Sequence, residues 1–135
     1  MPNTINIQTL LDGSINTIIK VDIIGDGSGD ETKTVIFDAS AYHNVTIEKR
    51  LYKIEYELNG FNCFLEWDAT TDAQLITIEE GHHEHVCWEW IGGYSNGYFA
   101  GRNGDILLTT NNLGDGDRGY IILFIKHREN VDGTL

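Results

Sequence analysis

One alternation constrains this chain more than any other feature. In Phe61-Asn62-Cys63-Phe64-Leu65-Glu66-Trp67, the residues Phe61, Cys63, Leu65 and Trp67 fall on one side and Asn62, Phe64 and Glu66 on the other. That is the period of two of a half-buried strand. The same alternation places Ile15, Thr17, Ile19, Val21 and Ile23 on one face, and Tyr52, Ile54, Tyr56 and Leu58 on one face against Lys53, Glu55 and Glu57. The pattern predicts strands near 5–11, 15–24, 33–38, 45–58, 61–67, 74–78, 83–91, 105–110 and 119–127. Strands this numerous and this short read as an all-β, single-domain antiparallel β-sandwich, jelly-roll-like, over 1–127, followed by a polar C-terminal tail at 128–135.

Two local signals refine the topology. Asn59-Gly60 between Leu58 and Phe61 is the sequence of a two-residue type I′ turn, which predicts that 45–58 and 61–67 pair as a hairpin. The run Tyr120-Ile121-Ile122-Leu123-Phe124-Ile125 is apolar on both faces, as in a central strand covered on both sides by protein or by another subunit. Most of the 15 glycines gather with Asp and Asn in loops at 25–30, 92–97, 101–104 and 114–117, where positive φ is tolerated.

Composition narrows the function. A length of 135 residues is enough for a core without disulfide or metal staples, and 41% hydrophobic content excludes a disordered tail. The net charge of −12 repels nucleic-acid phosphates and anionic membranes, so neither is expected as a partner. Met1-Pro2-Asn3-Thr4 has no basic stretch leading into an apolar one, and no secretory signal is expected. Cys63 and Cys87 both sit among hydrophobes and read as buried free thiols.

Four constellations bear on chemistry. On a strand through Gly81-His82-His83-Glu84-His85-Val86-Cys87, the side chains of His83, His85 and Cys87 share a face, and two histidines so spaced can chelate zinc. No second segment completes the ligand set, so surface or interface histidines are the expectation, and no metal or cofactor. Asp26-Gly27-Ser28-Gly29-Asp30-Glu31 starts like a calcium loop but has Glu31 where glycine is needed and Phe37 at the twelfth position. The same glycines lack the following helix of a phosphate cradle, no G-x-S-x-G elbow is present, and Glu79-Glu80 point apart on a strand; no enzyme is expected. The loop aromatics Tyr94, Tyr98 and Phe99 are the expected interface, with sugar stacking as the alternative use, and Trp88 and Trp90 are expected in the core.

The blocks Leu58–Asp72, Gly104–Thr110 and Gly116–Leu123 resemble small virion structural proteins of tailed bacteriophages, with the similarity spanning roughly 15–127. The resemblance implies a head decoration (cement) protein: a homotrimer on the outer surface of the capsid, bound to the major capsid protein and stabilising the head. The alternatives are a tail or baseplate component, a carbohydrate-binding host-recognition module, and a small metal-dependent enzyme.

Overall fold

The computed structural model describes residues 3–42, 48–88, 93–96 and 100–127, with His82 and His83 described by their backbone. Ten strands run in order: β1 (Thr4–Asp12), β2 (Asn16–Ile24), β3 (Thr34–Phe37), β4 (Lys49–Asn59), β5 (Asn62–Trp67), β6 (Ala73–Ile78), β7 (Gly81–Cys87), β8 (Tyr94–Ser95), β9 (Ile106–Asn111) and β10 (Arg118–His127). One turn of 3-10 helix, Ala39–Ala41, follows β3 and is capped by Asp38, whose carboxylate accepts from the Ser40 amide. The larger sheet has the order β1-β2-β10-β4-β7, with β8 also on β4, and the smaller β3-β9-β5-β6; all pairings are antiparallel.

This order is a jelly roll. With β1 and β8 set aside, eight strands remain, and the first pairs the eighth (β2 with β10), the second the seventh (β3 with β9), the third the sixth (β4 with β7) and the fourth the fifth (β5 with β6). β1 is an addition at the margin, and among the described residues β2 is the one strand it pairs with.

Alternation fills the space between the sheets. Ile19, Val21 and Ile23 of β2, Ile121, Leu123 and Ile125 of β10, and Leu51, Ile54 and Leu58 of β4 face Cys63, Leu65 and Trp67 of β5 and Ile106 and Leu108 of β9; all are buried. Each large side chain so buried contributes roughly 1.5–3 kcal/mol. The core pattern expected for 61–67 is therefore found in full.

Several expectations are corrected. β4 and β5 do not pair: β4 is flanked by β10 and β7, and the chain passes from one sheet to the other at Asn59-Gly60. Gly60 has φ +91°, but Asn59 is not in the left-handed region, so the link is a corner and no type I′ hairpin. Leu58 and Phe61 on either side of it are both buried, which a corner between facing sheets requires.

Tyr52 leaves the face assigned to it because β4 carries a bulge. Phe124 is opposite Lys53 and Ile125 opposite Leu51, so the extra residue Tyr52 breaks the alternation; Leu51 takes the core position, and the Tyr52 ring meets Phe124 edge-on at 5.9 Å on the outer face. Ile15 precedes β2 and is 46% exposed. The strand 120–125 is central, as expected, but covered on one face: Tyr120, Ile122 and Phe124 are half-buried on the outer side, where the ammonium groups of Lys20 and Lys53 lie 5.2 and 5.0 Å from the Tyr120 and Phe124 ring centres. Cys63 is buried, but Cys87 is exposed, because β7 turns it outward opposite Lys53. The expected strand 83–91 is Gly81–Cys87, and β8 was missed. The parts of the expected strands at 45–47 and 89–91, Trp90, and the tail at 128–135 lie outside the described residues.

Candidate functional site

The acidic loop is built by its own carboxylates. Asp30 accepts from the Thr110 hydroxyl (3.0 Å) and from the Asn112 and Leu113 amides (3.2 and 2.8 Å), so it caps the turn after β9. Asp26 accepts from the Ser28 side chain, which lowers its pKa, and from the Ser28 amide at 2.9 Å. Glu31 accepts from the Thr34 hydroxyl and the Asn3 amide group. These carboxylates thus hold β1, the loop after β2 and the turn after β9 together. Among the described residues no group of three His, Cys, Asp or Glu is placed to hold a metal ion.

The histidine strand opens outward. His85 is exposed opposite Glu55, and Cys87 opposite Lys53, on the solvent side of the larger sheet. The His83 side chain lies outside the described residues, so the expected row of three is placed at His85 and Cys87 alone. Since neither residue supports the core, EDTA is expected to leave the melting temperature unchanged, and a fall of many degrees with one zinc recovered per chain would overturn this.

Of the expected interface aromatics, Tyr94 is described and Tyr98 and Phe99 lie outside the described residues. Tyr94 stands in β8 at 37% exposure, its ring edge-on to Trp88 at 5.8 Å. Trp88 is half-buried against the core, and its amide donates to the Tyr52 carbonyl at 2.7 Å.

Residue pairing links Tyr94 to a set that sequence reasoning missed. Asp12, Thr17, Ile125, Leu51 and Tyr94 form one row across five strands of the larger sheet. At this end lie Leu10, Leu11 and Ile15, exposed at 48%, 46% and 46%. With Ile7 in the same hairpin, at 40%, Val35 on β3 and Tyr94 itself, these are the large hydrophobics left exposed among the described residues. The signal was present as Thr4–Leu11, eight residues without a charge in a chain at −12.

The outer face of the larger sheet also carries a groove of about 570 Å³ at its other end, lined by Asn6, Asp22, Glu57, Asn59, Arg118 and Tyr120 among others. Beneath the row of Tyr94 lies a buried polar chain: the Thr17 hydroxyl is 2.5 Å from His127 Nε2, and His127 Nδ1 is 2.8 Å from the Lys49 ammonium. An ammonium group can only donate, so Nδ1 accepts and Nε2 carries the proton toward Thr17. The Lys49 amide donates to Asn96 Oδ1, tying β8 to β4. Burial pulls the Lys49 pKa down to about 8.

Comparison with protein-family models, with curated proteins and with solved structures finds no match.

Proposed function

We propose that this chain is a non-enzymatic virion structural protein, a capsid decoration protein that binds the major capsid protein on the outer surface of the head. One observation carries the reading: an acidic jelly roll gathers the exposed apolar side chains Leu10, Leu11 and Ile15 at the turn between β1 and β2, with Tyr94 exposed at the opposite edge of the same end of the larger sheet. Scattered apolar residues on a surface are ordinary, but a gathered set marks a protein contact. The charge of −12 favours a basic or apolar shell surface over packaged DNA or an anionic bilayer. No helix among the described residues is long and apolar enough to cross a membrane. The homotrimer implied by the resemblance belongs to this proposal.

The test is made on particles. Leu11→Ser combined with Tyr94→Ala is expected to weaken attachment to capsids more than neutralising any single exposed acidic residue, because rim charges are screened by salt and apolar anchors are not. Particles stripped of the protein are expected to lose DNA at lower temperature. Stripped particles that keep their heat resistance but fail to adsorb to host cells would favour the second reading, a glycan-binding module. A specific observation supports that alternative: the groove beside Tyr120, with carboxylate, amide and guanidinium groups suited to sugar hydroxyls.

A further inference from the structure

We infer that β1 is a self-pairing edge, and that two copies of this chain join β1 to β1, antiparallel about a two-fold axis near Ile7, into one continuous sheet. The inference needs only an open edge and holds whatever surface the protein attaches to.

Among the described residues β1 lies at the margin of the larger sheet and pairs with no strand but β2, so the far edge of Thr4–Thr9 carries no second strand there. Proteins protect such edges with charge, proline, bulges or brevity. The other margins have these protections: β7 contains Glu84 and faces a bulge, β3 has four residues and a bulge, and β6 is bracketed by Asp72 and Glu79-Glu80. β1 has nine residues, no proline, and no charge before Asp12. Its one bulge lies between Thr9 and Leu11, which leaves Thr4–Thr9 in regular register.

The occupant follows from charge and register. A chain at −12 repels its own copies over most of its surface, and β1 is the long edge where that repulsion is weakest. Ile5, Ile7 and Thr9 lie opposite Ile23, Val21 and Ile19 and so share the core-side face. Thr4, Asn6 and Gln8 take the outer face. Pairing about Ile7 sets Ile7 against Ile7, Ile5 against Thr9 and Asn6 against Gln8, which matches face to face and keeps Asp12 beyond the paired span. An isologous contact of this kind closes at two copies. It also covers Ile7, which is 40% exposed on the face that should be dry.

The strand contact is small beside a standard interface, so the pair is expected at tens of micromolar concentration and above. Light scattering on the wild-type chain at roughly 100 µM should give a mass of two chains, and Ile7→Glu and Ile7→Lys should each give one. Mixing these two variants should restore two, because the register puts the new charges opposite each other. If a charge at Ile7 lowers the melting temperature, the exposed outer-face positions serve instead: Asn6→Lys with Gln8→Glu should keep the pair, and Asn6→Lys with Gln8→Lys should lose it. A monomeric wild type, a mass of three chains untouched by these variants, or single variants that stay paired or do not recombine would overturn the inference. The particle experiments test capsid attachment separately from this pairing, and the mass of two chains against three distinguishes the β1 pair from the homotrimer of the proposed function.

Discussion

Gly25→Ala is expected to cost about 3 kcal/mol or more and to lower the melting temperature by roughly 10 °C, whereas Gly29→Ala four residues along should cost about 1 kcal/mol. The two glycines serve one loop for different reasons. Gly25 is buried, and a Cβ there would lie 2.1 Å from the Gly114 carbonyl oxygen and 3.0 Å from Leu113 Cδ1. Neither backbone can retreat, because the Gly25 amide donates to the Asp117 carbonyl at 2.8 Å and the Gly116 amide to the Gly25 carbonyl at 3.1 Å. Gly29 has φ +113° and nothing within 4 Å of an added Cβ, so alanine there meets backbone strain without a clash. Urea midpoints for the two variants measure the contrast. Equal losses would mean that the approach of the two loops does not hold the sandwich closed at this end.

The fold was legible wherever a strand keeps strict alternation between two sheets, as β2, β5 and β10 do, because burial on one face writes a period of two into the residue types. It was illegible where geometry interrupts that period. At Tyr52 the bulge that moves Leu51 into the core has no residue signature, and at Asn59-Gly60 a corner between sheets uses the same residues as a hairpin. Local sequence fixes the turn's φ preference but not which sheet receives the next strand. The candidate sites divided in the same way. Asp26, Asp30 and Glu31 were visible as an acidic cluster, but only the folded chain brings amides and hydroxyls to them. The uncharged run Thr4–Leu11 was visible too, but its weight as an open edge depends on β1 ending the sheet, which is a fact of topology.

The buried Lys49 gives the second large effect, a rise in stability with pH. Its native pKa is about 8, held down by burial, whereas an unfolded lysine titrates near 10.4. Between these values the unfolded chain binds more protons than the native one, so the cost of burying the ammonium, present below pH 8, is relieved as pH rises. The slope approaches 1.4 kcal/mol per pH unit in that window, and the full effect is on the order of 3 kcal/mol. Cys63 acts in the opposite sense. Its thiol is buried and pushed up to about 12, against an ordinary value of 9.0, so the native state keeps a proton that the unfolded chain releases, and stability falls as pH rises through that range. The two contributions separate by substitution. Denaturant midpoints for the wild type should rise from pH 7.5 to 9 and then flatten, Lys49→Met should abolish the rise, and Cys63→Ala should extend it past pH 9. A rise of equal slope in Lys49→Met and wild type would show that the Thr17–His127–Lys49 chain carries no charge that folding has to bury.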